Sequence, residues 1–263
     1  MPRRLKFFSI LALLIAATLF AALRSQRREV NLSSVRQIYS DSLRDADQPG
    51  LRLTRLSDAE EMQLGVNLLQ TMHWPEDPVG TQQLVRVAQP LLVHIHRHAI
   101  TYQFHVVQAP MLNAFALPGG QVIVTNTMLT FTQSDSELAE ILGHEIAHVD
   151  LRHAVEQYQY QYRLGALAEL FHRLATMPFS ADQELEADAE GFRLATAAGY
   201  NPKAAAAVFV RMQQYFHETA APPANTPTGE LAHSLGDALA SYFRTHPPTQ
   251  ERVRRLQALA GTL

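Results

Sequence analysis

From Phe7 to Leu23 the chain runs seventeen residues without a charge, between Arg3, Arg4 and Lys6 on one side and Arg24, Arg27 and Arg28 on the other. No second apolar run of that length follows, and beyond residue 55 the apolar positions recur at helical spacing or alternate. LSDAEEMQLGVNLLQTM, residues 56–72, predicts a helix capped at Ser57 or Asp58 with acidic residues in its first turn. Residues 81–98 read as a further helix, and TYQFHVVQA, 101–109, alternates as a strand. Pro118, Gly119 and Gly120 interrupt residues 113–125, which should form a strand, a tight turn and a second strand. In SDSELAEILGHEIAHVDLRHA, Ser134 or Asp135 offers a cap with Glu137 close behind, and Ile141, Leu142, Ile146 and Val149 fall on helical spacing without a proline. Residues 158–177 place Tyr160, Leu164, Leu167, Phe171 and Leu174 on one stripe, either core packing or a flap over a cleft or membrane. A last pair of helices is expected from Ser180 or Asp182 to Gly199 and from about Thr249 onward, with APPANTPTG, 221–229, as a loop between them. There is no internal repeat.

The central helix carries chemistry. His144 and His148 are four residues apart, so they lie on one face about one 5.4 Å turn from each other, and both imidazoles can lean toward one zinc at about 2.1 Å. Glu145 borders that position without having to bind. A carboxylate there can take a proton from water whose pKa the metal lowers toward about 7, which is metal-assisted hydrolysis of a peptide bond. With twelve histidines in 263 residues the motif can arise by chance, and a satisfied core pair is the bland alternative. The apolar flanks of the helix favour the metal.

Such a site needs a third protein ligand and an open fourth position. FSADQELEADAEGFRLATAAGY supplies Glu184 and Asp188, four apart on another helix, so one can ligate while the other accepts the free ring N–H of a ligating histidine. Spacing alone does not choose between them. Glu186 and Glu190 share a different face and read as solvated charges. His94, His96 and His98 have no carboxylate within reach in sequence and read as a solvated helix end.

HEIAH followed by ELEAD resembles the M48 family of zinc metallopeptidases, which includes membrane-bound HtpX and CAAX prenyl endopeptidases and soluble periplasmic relatives. The resemblance implies that Glu184 is the third zinc ligand and Asp188 its neighbouring aspartate. NAFALPGGQVIVTNTML, 113–129, resembles the family's strand and turn beside the cleft, which implies that Asn113, Ala114 and Phe115 form an edge that pairs with substrate backbone. RTHPPTQERVRRL, 244–256, resembles its C-terminal His-Pro segment, with Pro247 and Pro248 stiffening the chain after His246. Three roles stand open for His246: bracing the following helix, donating a hydrogen bond to the oxyanion, or taking the fourth zinc position as a latch. Of the two functional roles the latch is favoured over the donor. The likeness spans about residues 55 to 260 in the same order.

Composition agrees with a globular enzyme, at 47% hydrophobic and 18% charged residues, and a formal net charge of −3 gives no reason to expect nucleic acid. There is no cysteine, which excludes disulfides and thiolate-bound zinc. Seventeen helical residues span about 26 Å against a hydrocarbon core of about 30 Å, a gap that snorkelling arginines can close. Cleavage after Ala21 or Ala22 would leave Leu19 or Phe20 three places back, so an uncleaved anchor is favoured over a removed signal peptide. The expected organisation is therefore an anchor or signal at 1–30, a polar tether at 31–54 and a catalytic domain at 55–263 outside the inner membrane, facing or released into the periplasm.

The expected fold is α+β and zincin-like (gluzincin), mostly helical with a small sheet along the cleft. It would hold one Zn2+ per chain on His144, His148 and Glu184, with Glu145 as base and an unfolded or misassembled envelope polypeptide as substrate. A membrane-tethered chaperone or binding module with structural or latent zinc is the reading from a different class.

Overall fold

The computed structural model describes residues 55–156, 179–219, 246 and 250–261, all within one unit of the chain, Arg55–Leu263. The apolar N-terminal run, the tether 31–54, the stripe within 158–177, the loop 221–229 and Pro247 and Pro248 lie outside the described residues. Among the described residues no helix is long and apolar enough to cross a membrane.

Each helix start follows from a local hydrogen-bonding solution. Helix α1 (Asp58–Gln70) begins with a reciprocal capping box between Ser57 and Glu60. Helix α2 (Pro78–Leu92) is capped by Asp77, whose side chain accepts from the N–H groups of Val79 and Gly80, and Pro78 takes a first-turn position where no N–H is needed. The sequence pattern placed this helix at 81–98. It starts earlier because of the Asp77–Pro78 cap and ends at Leu92, so His94, His96 and His98 sit in the turns that follow. Three strands follow, β1 (Gln103–Val107), β2 (Ala114–Leu117) and β3 (Gln121–Thr125). Gly119 and Gly120 make the turn between β2 and β3 with φ of 72° and 90°, the left-handed region that glycine enters at little cost. A Cβ on Gly119 would also lie 2.4 Å from the Cα of Met62, because α1 packs on this turn.

The sheet order is β1-β3-β2, with β1 parallel to β3 and β2 antiparallel to it. β3 is buried at all five positions, which explains why Val122, Ile123 and Val124 at its centre are apolar in succession and do not alternate. One face of the sheet meets α1 through Leu68, Phe115, Leu117 and Ile123. The other contributes Phe104, Val106, Val122 and Val124 to the main core.

A short helix α3 (Asn126–Phe131) leads to the long α4 (Asp135–Asp150), which carries HEIAH and is capped by Ser134, whose hydroxyl accepts from Glu137 N–H. Helix α5 (Ala181–Ala197) carries ELEAD and opens with a capping box between Ser180 and Gln183. Helices α6 (Lys203–Thr219) and α7 (Gln250–Gly261) complete the described fold. α4 lies in the centre: α2, the sheet, α5 and α6 all pack on it.

The crossing of α4 and α5 fixes the site. A Cβ on Gly191 would lie 2.7 Å from the backbone nitrogen of His144, and one on Gly143 would lie 2.8 Å from the carbonyl oxygen of Gly191. Hydrogen at both positions lets the two backbones touch, and the carboxylates of α5 thereby reach the imidazoles of α4. Apart from the shifted α2, the expected arrangement of a mostly helical α+β domain with a small sheet is the one found.

Candidate active site

Every residue of α4 from Glu137 to Asp150 is buried. His144 and His148 direct their Nε2 atoms to one point, 3.0 Å apart. Glu184, from the first turn of α5, places Oε1 3.4 Å from His148 Nε2 and Oε2 3.7 Å from His144 Nε2. His246, far away in sequence, brings Nδ1 to 3.1 Å from His144 Nε2 and 2.9 Å from Glu184 Oε1. These four side chains offer one ligand atom each, all within 4.8 Å of one another and all buried.

The donor set fits zinc. Bonds of about 2.0–2.1 Å in a tetrahedron separate ligand atoms by roughly 3.3–3.4 Å, and the observed spacings of 2.9 to 3.7 Å bracket that figure. Converging lone pairs in a dry interior are costly unless a cation or a proton sits among them. Burial pushes the His246 imidazole down, but the negative charges of Glu184 and Glu145 outweigh it and hold the group above its ordinary value. Burial, with the charges of His144 and His246 adding in the same direction, takes His148 well below the histidine range against the opposing pull of Glu184.

Around this set lies a second layer that fixes each group. His144 Nδ1 is 3.0 Å from Asp188 Oδ1. Arg252, buried on α7, donates from Nε and Nη2 to the two Asp188 oxygens at 2.7 Å each, while its Nη1 lies 2.5 Å from Glu184 Oε2. Burial pushes both carboxyls up, yet the Arg252 guanidinium reverses this, so Asp188 is held below the usual carboxylate range and Glu184 well below it. Phe179 stacks on His148 with ring centroids 3.8 Å apart and planes 18° from parallel. Arg252 was not singled out in the sequence, although it shares the buried stripe of Leu256 and Ala260 at four-residue spacing.

Glu145 is fully buried beside the donors, and neither of its carboxylate oxygens accepts a hydrogen bond among the described residues. Burial raises its pKa, with His246 and His144 pulling the other way. His246 Nε2 lies 3.4 Å from Glu145 Oε1, so one imidazole faces both the converging donors and the Glu145 carboxylate.

Among the described residues β2 is one of the two end strands of the sheet and packs against α4. Ala114 and Phe115 belong to it, and Asn113 immediately precedes it: its carbonyl oxygen accepts from Thr125 N–H at 3.0 Å, and its own N–H donates to the Thr125 hydroxyl at 3.1 Å.

A sequence model described as peptidase family M48 matches residues 78–171 and 162–260. The chain belongs to peptidase family M48. The M48 chain is 32% identical over 177 residues to the mitochondrial metalloendopeptidase OMA1 of Arabidopsis thaliana, covering 61% of this chain and 32% of that one. It is 28% identical over 192 residues to the same-named protein of Schizosaccharomyces pombe, covering 67% and 52%. With the beta-barrel assembly-enhancing protease of Escherichia coli K12 it shares 24% over 255 residues, covering 85% and 51%. The chain thus spans between about a third and a half of the length of these relatives.

His96 and Glu190 of this M48 domain depart from the sequence reading. His96 is not free of carboxylates: its Nδ1 lies 2.9 Å from Asp150 Oδ2 and 3.3 Å from Glu190 Oε1. Asp150 also accepts the backbone N–H groups of His96 and Arg97, and both Glu190 oxygens pair with Arg193, so the cluster reads as a staple between helix ends. His153, which the sequence did not single out, is buried against His148, and Glu186 pairs with it while its own side chain stays exposed, as expected.

Glu140, one turn before His144, is buried with Oε1 unpartnered among the described residues. Burial pushes its carboxyl up to about 8, with the charge of Asp188 adding in the same direction. A raised folded-state pKa means that the native protein holds this proton while the unfolded chain releases it. Stability therefore falls as pH rises from about 4.5 to about 8, by on the order of a few kcal/mol in all. Glu140→Gln cannot ionise and is expected to flatten that slope. Urea unfolding of both proteins between pH 5 and 8 checks this, and parallel pH profiles would remove the assignment.

Proposed function

We propose that the protein is a zinc-dependent endopeptidase acting on unfolded or misassembled polypeptides of the cell envelope, and that His246 holds it latent. The observation that carries this reading is the convergence of His144, His148, Glu184 and His246 on one point with the Glu145 carboxylate alongside. His144, His148 and Glu184 would hold the metal, with Asp188 and Arg252 fixing their orientation and charge. Bound zinc supplies an acidified water and a positive charge for the developing oxyanion. Glu145 takes the proton of the attacking water on a carboxylate oxygen and hands it to the leaving amine nitrogen. Substrate lies along the outer edge that β2 has among the described residues, where Asn113, Ala114 and Phe115 lead it past α4, and backbone pairing there makes few demands on side-chain identity.

Two further parts of the reading rest on the sequence and on a relative. The apolar run with basic flanks at 1–30 serves as anchor, 31–54 as tether and 55–263 as the catalytic domain on the periplasmic side. A relative named as a beta-barrel assembly-enhancing protease, matched over 85% of this chain, supports a client among envelope proteins.

A latent site makes the second reading, a tethered binding module, specific. Four protein donors are the mark of a closed structural zinc site, and Glu145 has no use in one. Hydrolysis of unfolded casein by the full-length protein and by His246→Ala, with and without chelator, separates the two. The peptidase predicts chelator-sensitive cleavage, restored by zinc, in at least the variant. Zinc binding with no cleavage in either protein assigns the binding module.

A further inference from the structure

His144 and His148 are backed differently. His144 faces the carboxylate of Asp188. His148 faces another imidazole: its Nδ1 lies 3.2 Å from Nδ1 of His153, and Nε2 of His153 lies 3.1 Å from Oε2 of Glu186. His153 is buried, whereas the Glu186 side chain is 64% exposed. The three groups form a line from solvent to the donor set.

The proton positions along this line follow from chemistry. His148 presents Nε2 to the donor cluster, so binding a metal there requires Nε2 to be unprotonated and puts the ring proton on Nδ1. Among the described residues the acceptor within reach of that Nδ1–H is Nδ1 of His153, which must then carry its own proton on Nε2 and donate it to Glu186. The opposite arrangement, His153 donating to His148, puts the proton of His148 on Nε2 and removes it as a ligand. One direction of the chain is compatible with metal binding, and the Glu186 carboxylate selects it, because a carboxylate accepts and does not donate.

The backbone is bent to make this contact. α4 ends at Asp150, and Arg152 takes φ of 69°, a left-handed conformation unusual for a residue with a side chain, which turns the chain so that His153 points back at His148. Arg152 is held there by Leu56, whose carbonyl oxygen accepts from Nη2 at 2.7 Å, and by Asp58 and Glu61. With Phe179 stacked on the face of His148 and His153 at its edge, the ring has no freedom to swing.

We infer that His153 and Glu186 are positioning residues for the metal site: Glu186 fixes the tautomer of His153, which fixes the tautomer and aim of His148. This rests on the reading of the four-donor cluster as a zinc site. The test is the zinc dissociation constant of the full-length protein, measured by competition with a chromophoric chelator, together with the thermal stability of the metal-free form. His153→Leu removes the acceptor and is expected to weaken zinc binding about 10- to 100-fold. His153→Asn places an amide oxygen where Nδ1 stood and should restore affinity to within about threefold of wild type, a rescue that a purely space-filling role would not give. Glu186→Gln, at an exposed position that tolerates substitution, should weaken binding by less than about tenfold, and by nothing further in the His153→Asn chain, which cannot reach it. Equal losses in His153→Leu and His153→Asn, or an unchanged dissociation constant in His153→Leu, overturn the relay. So does a Glu186 effect that persists undiminished on top of His153→Asn. Wild-type protein that binds no zinc overturns the metal reading itself.

Discussion

Glu145→Gln is expected to lower casein hydrolysis about 10²- to 10⁴-fold, in wild type and in the His246→Ala chain alike, while zinc stoichiometry stays at that of the parent. The loss follows from position. Glu145 lies next to His144 on α4 but keeps both oxygens out of any hydrogen bond among the described residues, in a fully buried spot where a carboxylate is held only by its charge relations with His246, His144 and Arg252. A buried polar group without a partner is a cost to folding, and burial already pushes this carboxyl up. The amide removes an ionisable group that the fold disfavours, so metal-free Glu145→Gln should be at least as stable as its parent. Activity lost together with stability would mean that Glu145 is a structural member of the core. Activity retained above background would take the proton transfer away from it.

The parts of this site legible in the sequence are those that one helix encodes alone. The spacing of His144 and His148, the cap at Ser134 and the apolar positions 141, 142, 146 and 149 required no tertiary information. The same holds for Glu184 and Asp188 on a helix capped at Ser180. Choosing between those two carboxylates needed the crossing of α4 with α5, which Gly143 and Gly191 set by contact and spacing does not reveal. Arg252 was hidden among three arginines on α7, although only it shares a stripe with Leu256 and Ala260 while Arg254 and Arg255 face solvent. His153 was beyond reach for a different reason. Its contact with His148 depends on the positive φ of Arg152, held by acids nearly a hundred residues earlier, and no local pattern announces such a turn. The helix at 81–98 was placed by apolar periodicity, which continues through Val93 and Ile95 after the hydrogen-bonded helix has ended at Leu92. The parallel pairing of β1 with β3 was likewise unreadable, since alternation reports a strand and not its neighbour.

His246→Ala is expected to raise casein hydrolysis about 10- to 100-fold with zinc still bound, provided that the closed form is favoured by a ratio of that size in the parent. The imidazole does two things that water would otherwise do. Its Nδ1 stands at a corner of the donor set, 3.1 Å from His144 Nε2 and 2.9 Å from Glu184 Oε1, and its Nε2 stands 3.4 Å from the base. A nucleophilic water needs that corner and a hydrogen bond to that carboxylate, so removing one side chain frees both. On the proposed reading His144, His148 and Glu184 remain, a set of three protein ligands such as a catalytic zinc site uses, and Asp188 with Arg252 keeps holding them in place. Zinc affinity should fall, as expected on losing one of four donors, but not vanish. The rival role gives the opposite sign. An oxyanion donor lost in His246→Ala would lower kcat by about 10²- to 10³-fold, yet an oxyanion donor should aim an N–H at the substrate side, whereas here both ring nitrogens face protein groups of the site. Hydrolysis rates of parent and variant at equal zinc loading decide between them. A rate unchanged within about twofold would return His246 to a bracing role at the start of α7.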